Sequence, residues 1–434
     1  MGIFLLWQKA SRAFAPSIKS LESGSYNVLF QSKITRLNIS DYTIIIHISR
    51  LMENLVEWAF MKSKVSLREF PSAQARREFL EKELNINLHN IGHFTFAEES
   101  VAGRNIENLI GATQIPLGVA GPIMNHLIPL ATTEGALVAS VSRGCKAIME
   151  SGGACVEVEL VGTTRGPVFK TQGIEHGFKT KNWIEKNFSL IAQTTQKTSS
   201  HLKLLKIDSQ ILSKNLYLRF YYDTGDAMGM NMVTIATDMA VKLIEQKTKA
   251  RCIALAGNFD IDKKPAYLNF ILGRGKKVWA EAVLPKKIVR EVLKTTPEKI
   301  AEVVEKKCHL GSMMSGSMGF NSHFANIIAA IFAATGQDLA HAAEGSLGIT
   351  TAEILKNGDL YFTIYLPDLM CGTVGGGTHL PAQQEALKIM NVRNVLEYCR
   401  AVGAAILAGE LSLIASLAEG SLAKAHQKLG RKNK

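Results

Sequence analysis

Two aspartates and two lysines interrupt an otherwise apolar part of the sequence, in the segment GNFDIDKKPAYLNF at residues 257–270. The apolar run IALA (253–256) precedes these charges, and an aromatic-rich, strand-like run follows them. Charged groups beside buried segments destabilise a fold unless they are paired or hydrogen-bonded. The segment is therefore either a solvated turn or a site where ammonium groups stabilise a developing negative charge. Most charge clusters are solvated, which favours the turn when this segment is considered by itself.

Two glycine-rich segments have the composition of loops that approach a bound molecule closely. GTVGGGTHLP (372–381) follows a predicted strand, and GDAMGMN (225–231) lies where a predicted strand passes into a helix. Glycine allows close backbone approach, and the free N–H groups at a helix start can hold an anion. Neither segment matches the Walker A or the Rossmann pattern, so a tight bend explains the triple glycine equally well.

The composition is that of a globular protein with two or three domains. The 434 residues are 47% hydrophobic and 20% charged, and the formal net charge is +12. This positive charge favours anionic partners such as phosphate-bearing small molecules. A nucleic-acid-binding protein would interleave basic residues with exposed aromatic ones, whereas this charge is diffuse and the aromatic residues lie in predicted strands. We therefore expect no nucleic acid partner.

Cysteine spacing and the lengths of the apolar runs indicate where the protein resides. The six cysteines include no CxxC pair, so we expect buried free thiols in a reducing compartment and no metal site. Apolar runs such as YTIIIHI (42–48) and IIAAIFAA (327–334) are shorter than the ~18 residues that span a bilayer. The expectation is a soluble, cytoplasmic protein without a membrane segment.

Hydrophobic periodicity predicts mixed helices and strands without a regular βαβ alternation, which is typical of the α+β class. Five helices are predicted. The first begins at Ser72–Ala73, the second spans residues 132–151, and the third begins near residue 231. The fourth begins at the Thr296 cap, followed by Pro297, and the fifth occupies the C-terminal part of the chain. The predicted strands are 155–161, 216–222 and 359–367. Within residues 266–285, Gly273 to Gly275 predict the turn of a β-hairpin.

Seven segments together match one protein family in order and spacing. They are residues 107–122, 132–148, 225–232, 262–285, 334–341, 372–387 and 407–426. From about residue 94 to the C-terminus, the chain resembles the 3-hydroxy-3-methylglutaryl-coenzyme A (HMG-CoA) reductase family. DKK (262–264) and AEAVLP (280–285) are similar to its class I branch, and the chain resembles a soluble form of that branch.

The resemblance implies a four-electron reduction of (S)-HMG-CoA to (R)-mevalonate and CoA in the mevalonate pathway to isoprenoids, with NADPH as cofactor. Each carbonyl reduction places negative charge on an oxygen, which a nearby cation stabilises. Lys263 matches the catalytic lysine of the family. Glu134 matches its acidic proton donor, Asp338 the aspartate that bridges the two, and His426 the histidine that protonates the departing CoA thiolate. Glu134 as a charge near a helix start and Asp338 as a cap are compatible structural interpretations.

The resemblance also implies which residues surround the bound molecules. Positions that match contacts to HMG or CoA are Ser140, Arg143, Lys146, Arg165, Asn258, Lys264, Lys307, His323 and Asn326. Positions that match contacts to the dinucleotide are Asp226, Met228, Gly229, Met230, Asn231, Val374 and Gly375. Core packing is the alternative role for the two methionines. The segment 198–204, where a site for the 2′-phosphate falls, aligns poorly and leaves NADH open beside NADPH.

The implied architecture is a large helical and sheet-containing substrate domain, with a smaller α+β, ferredoxin-like nucleotide-binding domain inserted into it. Its segments are an N-terminal extension (1–60), the first part of the large domain (61–167), the inserted domain (168–255), the second part of the large domain (256–427) and a basic tail (428–434). The family resemblance further implies a homodimer or homotetramer with active sites between subunits. Oxidation of mevalonate with NAD and a catalytically inactive binding module are rival interpretations. The class I motifs disfavour the first, and the four catalytic positions disfavour the second.

Overall fold

The structure is a computed structural model that describes residues 66–420. The predicted N-terminal extension, the basic tail and His426 lie outside this range. The described residues form two compact units, which are 66–89 with 108–110, and 90–107 with 111–420.

Helices and strands are mixed along the chain without regular alternation. The helices are α1 (Ala73–Leu84), α2 (His89–Gly92), α3 (Glu98–Val101), α4 (Leu137–Glu150), α5 (Ile174–Lys186), α6 (Phe188–Gln196), α7 (Met230–Thr248), α8 (Tyr267–Leu272), α9 (Lys286–Glu291), α10 (Pro297–Val303), α11 (Ser312–Ser315), α12 (Phe324–Thr335), α13 (Ala342–Gly345), α14 (Pro381–Met390) and α15 (Val395–Glu419). Shorter helical turns are 3₁₀ helices at Leu67–Glu69, Leu339–His341 and Gly376–His379, and a π-helix at Val304–Gly311. The strands are β1 (Leu117–Ile123), β2 (His126–Ala131), β3 (Cys155–Arg165), β4 (Val168–Lys170), β5 (Lys203–Leu212), β6 (Asn215–Asp223), β7 (Arg251–Ala254), β8 (Arg274–Leu284), β9 (Gly319–Phe320), β10 (Gly348–Ile354) and β11 (Leu360–Leu369).

Strand β3 joins two groups of strands into one sheet. Its first part, 155–162, pairs with β8, and its last part, 163–165, pairs with β6. The strand order is β7-β4-β6-β3-β8-β11-β10-β9, with β5 paired to β6. Neighbouring strands are antiparallel except β10 and β9, and β1 and β2 form a separate antiparallel pair. The α+β prediction is confirmed.

Two apolar cores lie on the two parts of this sheet. The first core packs β8 and β11 against α4, α12 and α15. The second core draws its fully buried residues from positions 169–250, on β4 to β6 and on helices α5 to α7. The predicted boundaries of the inserted domain, 168 and 255, stay a prediction.

Helix starts are where the local sequence signals predict the structure best. The Ser72 hydroxyl accepts a hydrogen bond from the Ala75 N–H, and α1 begins at the next residue, as predicted. Thr296 caps α10 in the same way, with Pro297 in the first helical position. Helix α4 buries Leu137, Val141, Cys145 and Ile148, which lie on one face at helical spacing.

The predicted hairpin within 266–285 is wrong, because residues 267–272 form helix α8 before strand β8 begins. Buried polar contacts hold this short helix. The Asn269 side chain donates to Asp368 Oδ2 (2.7 Å) and accepts from Arg219 Nη2 (2.9 Å). Gly273, with φ of +78°, ends the helix. The period-2 pattern of the segment, from which the hairpin was predicted, contains no information about these contacts to distant residues.

One helix contradicts the expectation that no segment is long and apolar enough to cross a membrane. Helix α15 has 25 residues and meets both criteria among the described residues. Its most apolar part is 78% buried, because α15 packs at the centre of the first core. A core helix passes the same length test as a membrane span, so the cytoplasmic location stays a prediction.

Candidate active site

The charged segment singled out in the sequence is a loop between β7 and α8 with an unusual backbone. Asn258, Ile261 and Lys263 all have φ between +54° and +63°. Left-handed backbone costs roughly 1–3 kcal/mol at a residue other than glycine, and a β-branched residue such as isoleucine adopts it rarely. Such strain persists only where surrounding contacts over-determine the conformation, and it concentrates at functional sites.

Asp260 anchors this loop from its buried side. Its side chain is 1% exposed and accepts from Arg165 Nη1 at 3.2 Å. Its carbonyl oxygen accepts from the Thr164 hydroxyl (2.9 Å). Arg165 also donates to the Thr234 hydroxyl, so the guanidinium is held between β3, α7 and the loop.

Lys263 presents its ammonium group at the surface of the loop. Its Nζ lies 2.7 Å from Asp338 Oδ2, and the two side chains are 41% and 36% exposed. Burial raises the pKa of Asp338, but the hydrogen bond from Lys263, the Ala340 N–H and the charge of His341 outweigh burial, and the net pKa is lowered. The ammonium is thus fixed by an ionised carboxylate and remains accessible to a bound molecule.

The two neighbours of Lys263 in the DKK motif differ in environment. Asp262 Oδ1 accepts from Arg274 Nη2 at 3.0 Å and is half-buried. Lys264 is exposed, and its Nζ donates to the carbonyl oxygen of Asp262 (3.1 Å). Asn258 is also exposed. Lys264 and Asn258 are therefore available to a ligand, whereas Asp262 is engaged with the interior.

A buried ionic network behind the loop was missed by the sequence analysis. Arg274 and Glu344 are fully buried and form an ion pair with an N–O distance of 2.6 Å. Glu344 Oε1 also accepts from the backbone N–H of Lys263 and lies 3.1 Å from His341 Nδ1. Burial and the charge of Glu344 raise the pKa of Asp368 well above its usual range. A signal was present, since Arg274 opens a strand whose alternate residues are apolar and buried.

Glu134 lies in a second group of predicted residues. Its Oε2 accepts from Asn326 Nδ2 at 2.9 Å, and its N–H donates to the Thr132 hydroxyl. His323 directly precedes α12, and its Nε2 is 3.0 Å from the carbonyl oxygen of Gly409 on α15. Lys307 is exposed on the π-helix, a rare element that often marks functional sites.

The two groups are not joined by polar contacts within the described part of the chain. Between residues 66 and 420, no hydrogen bond or ion pair joins Glu134 to Lys263 or to Asp338. Asp338 therefore contacts the lysine but not the glutamate that it was expected to bridge. It also caps the 3₁₀ helix at residues 339–341, since its Oδ1 accepts from the Ala340 N–H at 3.1 Å.

The residues of α4 expected to meet CoA are partly engaged with α15. The Ser140 hydroxyl donates to the Ser412 hydroxyl at 3.0 Å, and Arg143 donates to Ser412 and Ser416. Lys146 is different, because its side chain is 65% exposed and has only a 3.7 Å contact to Glu150. Lys146 is thus the cation on this helix that is most accessible to an anion.

The two glycine-rich segments lie side by side. Ala227 pairs with Val374 as an isolated parallel bridge, and the carbonyl oxygen of Asp226 accepts from the Thr373 N–H at 2.8 Å. Gly372 allows this approach, because a Cβ there would lie 2.4 Å from the Met228 nitrogen. The Asp226 carboxylate accepts from the Val395 N–H at the start of α15.

This paired loop fits a phosphate-bearing cofactor. Helix α7, with 19 residues, begins at Met230 directly after Gly229, and its first N–H groups are a suitable anion contact. Gly375 has φ of +79° and open space where a Cβ would stand, and Val374 is 53% exposed. Asn231 is exposed as well. Met230 is half-buried and its sulfur accepts from Arg274 Nη2, which agrees with the packing role.

Comparison with known proteins gives a consistent result. The family model described as hydroxymethylglutaryl-coenzyme A reductase matches residues 72–431. The chain is similar to the 3-hydroxy-3-methylglutaryl-coenzyme A reductases of Pyrococcus horikoshii (50% identity, covering 83% of this chain and 92% of that one) and Methanothermobacter thermautotrophicus (48%, covering 88% and 98%). It is similar in fold to the class II 3-hydroxy-3-methylglutaryl-CoA reductase of Streptococcus pneumoniae solved with NADPH, with a TM-score of 0.62 and 18% identity over 81% of this chain and all of that one.

Proposed function

The chain belongs to the hydroxymethylglutaryl-coenzyme A reductase family, and we propose that it reduces (S)-HMG-CoA to (R)-mevalonate and CoA with NADPH. The observation that carries this proposal is the Lys263–Asp338 pair, in which an accessible ammonium is held at 2.7 Å by an ionised carboxylate. The lysine of this pair stands on a strained loop that buried contacts hold in place. A fixed cation of this kind stabilises the oxyanion that forms when a carbonyl is reduced.

The family resemblance assigns roles to the other predicted residues, and the positions of several of them support these roles. Glu134 supplies the proton to the developing alkoxide, and Asn326 orients its carboxylate through their 2.9 Å hydrogen bond. Lys264 and Asn258 are exposed beside Lys263 and contact the HMG portion. Arg165 supports the loop through Asp260 and faces the same portion. Lys146 and Arg143 contact the phosphates of CoA, and Lys307 and His323 complete the substrate contacts.

NADPH supplies a hydride for each of the two reductions. The paired loop of residues 225–231 and 372–376 holds the dinucleotide, with the start of α7 directed at a phosphate. Asp226 fixes the loop to α15 through the Val395 N–H. The exposed glycines let the backbone lie flat against the bound molecule.

We further propose that the chain is a class I-like soluble form that assembles as a dimer or dimer of dimers with shared active sites. The DKK and AEAVLP motifs support the subclass. Assembly is supported by the lack of a polar contact between Glu134 and Lys263 within residues 66–420 and by the exposed apolar side chains of the β1–β2 pair. Leu117, Val119 and Leu127 are 42–51% exposed there.

The direct test is loss of NADPH absorbance that depends on HMG-CoA, with NADH run in parallel. We expect oxidation of NADPH in a ratio of two per CoA released, and slower oxidation of NADH. No HMG-CoA-dependent oxidation of either nucleotide by the folded protein would contradict the proposed function. A preference for mevalonate, CoA and NAD in the reverse assay would instead favour the oxidative direction.

A separate prediction concerns His426, which the resemblance assigns to protonation of the CoA thiolate. His426→Gln is expected to lower the rate of HMG-CoA reduction by about 10²-fold. General acid catalysis typically contributes ~10²- to 10⁴-fold to a rate, and this expectation lies at the lower end of that range. It should change reduction of free mevaldehyde much less, since mevaldehyde has no thioester to cleave. The two rates are measured with the same enzyme preparation. Equal losses with both substrates would assign His426 to the hydride steps or to the fold instead.

A further inference from the structure

His341 is a buried residue directly behind the Lys263–Asp338 pair that nothing above assigns to the reaction. It ends the 3₁₀ helix at residues 339–341, and its side chain is 0% exposed. Nδ1 lies 3.1 Å from Glu344 Oε1. Nε2 faces Asp338 Oδ2 at 3.8 Å and Asp262 Oδ1 at 3.9 Å, and within the described range it has no hydrogen-bond partner.

The ring therefore lies between the two carboxylates that hold Lys263. Glu344 accepts from the backbone N–H of Lys263, and Asp338 accepts from its ammonium group. Carboxylates thus bind both the backbone N–H and the side-chain ammonium of Lys263. The His341 ring contacts the first of these carboxylates, Glu344, and faces the second, Asp338. Because His341 and Glu344 are buried and Asp338 is half-buried, a change at the ring reaches the Asp338 carboxylate with less screening by bulk water than a surface contact has.

The neighbours of the ring determine where its protons must be. Burial raises the pKa of Glu344, but its hydrogen bond with His341 and the charge of Arg274 outweigh burial and lower the pKa to about 2. The pKa of Asp338 is lowered as well. Ionised carboxylates accept hydrogen bonds and cannot donate them. Nδ1 therefore donates to Glu344, and Nε2 faces two carboxylate oxygens, toward which only a ring nitrogen that carries a proton could donate.

A metal ion is a less suitable interpretation of the same cluster. The ligand atoms of Asp262, His341 and Glu344 all lie within 4.8 Å of one another, which is compatible with a cation site. However, the guanidinium of Arg274 already lies at 3.0 Å from Asp262 and 2.6 Å from Glu344. A divalent ion would have to displace this buried guanidinium, for which residues 66–420 offer no other carboxylate at ion-pair distance.

We propose that His341 is a positioning residue for the reduction, acting as a doubly protonated ring that fixes Asp338 and, through Asp338, the ammonium of Lys263. This inference rests on the proposed function and deepens it. The 3.8 Å separation from Nε2 to Asp338 is slightly longer than a hydrogen bond. A small closure of the loop over bound substrate forms that bond and keeps the carboxylate ionised while the charge of Lys263 is directed at the substrate oxygen.

The kinetic test uses His341→Gln, which keeps an N–H donor but cannot carry a charge. We expect kcat for HMG-CoA to fall about tenfold to a hundredfold, with KM for both substrates changed less than about threefold. The matched control is His176→Gln on α5, a half-buried histidine whose Nε2 lies 2.7 Å from a backbone carbonyl oxygen, that of Thr248. This control is expected to keep wild-type rates.

Dependence on Asp338 separates positioning from a general effect on folding. In an Asp338→Asn background, His341→Gln should lower kcat by less than about threefold, because the carboxylate through which the ring acts is gone. Equal fold-losses in both backgrounds would overturn the proposal, as would wild-type kcat in the single variant. Inactive wild-type enzyme would contradict the proposed function first, so a readout without substrate is also required.

That readout is the ¹⁵N spectrum of the histidine side chains in the wild-type protein near neutral pH. One histidine should show both ring nitrogens protonated, and its signals should disappear in His341→Gln. If that variant does not fold, Asp338→Asn identifies the same signals by shifting Nε2 selectively. A His341 ring with only one protonated nitrogen would overturn the proposal whatever the activity of the enzyme.

Discussion

Lys263→Ala is expected to lower kcat for HMG-CoA reduction by about 10²- to 10³-fold while leaving NADPH binding and the fold nearly unchanged. The loss is that of one preorganised charge aimed at the oxyanion, which costs ~3–4 kcal/mol in the transition state. The fold should tolerate the change, because Lys263 is 41% exposed and its partner Asp338 is 36% exposed and can be hydrated. Alanine meets the same left-handed backbone that lysine adopts at φ of +59°, so the backbone strain is not altered greatly.

Two further lysine variants make this result specific. Lys263→Arg keeps the charge but replaces a compact ammonium with a planar guanidinium, so it should restore less than about a tenth of the lost activity. Lys179→Ala is the surface control, since Lys179 is 71% exposed and pairs only with Glu175 on the same helix. Activity and NADPH affinity are measured together by absorbance and by fluorescence titration. Near-normal turnover in Lys263→Ala would remove this residue from the reaction.

The parts of the fold that could be predicted are those that local chemistry determines. Ser72 and Thr296 carry their own capping hydroxyls, so helix starts at 73 and 297 follow from a few adjacent residues. The alternation in 155–161 likewise predicts a strand, and β3 buries Val156 on one face while the acidic residues Glu157 and Glu159 on the other face are exposed. Such signals need no knowledge of distant residues.

The prediction fails where distant residues decide the structure. Helix α8 was expected to be a strand, and its Asn269 is held by Arg219 and Asp368, which lie 50 and 99 positions away. His341 and Glu344 escaped notice for the same reason. Their importance arises from Arg274, on a strand 70 residues from Glu344 in the sequence. Lys263, by contrast, was found through a recognisable motif.

The proposed assembly concerns how Glu134 meets the Lys263–Asp338 pair. Lys263 and Asp338 are in contact within the chain, whereas Glu134 contacts Asn326 and neither member of that pair. If the active site lies between subunits, Glu134 of one copy acts with Lys263 of another. This arrangement has a quantitative consequence for mixed oligomers, because a symmetric dimer contains two equivalent sites.

A mixture of Glu134→Ala and Lys263→Ala proteins is expected to recover about a quarter of wild-type activity after dissociation and reassociation. Random pairing of equal amounts makes about half of the dimers mixed. Each mixed dimer has one site with both substitutions and one site with neither, so half of its sites are active. Each variant alone should remain inactive, and activity is measured as HMG-CoA-dependent loss of NADPH absorbance.

The matched control pairs Lys263→Ala with Asp338→Asn, whose side chains lie 2.7 Å apart within one chain. If both residues serve the same site from the same subunit, every site of a mixed dimer lacks one of them, and no activity should return. Recovery with the first pair and not with the second assigns Glu134 and Lys263 to different subunits of one active site. Recovery with neither pair, or a fully active monomer in solution, would mean that one chain completes the site by itself. In that case Glu134 must reach Lys263 through a rearrangement within the subunit, and its present hydrogen bond with Asn326 would have to break for each turnover.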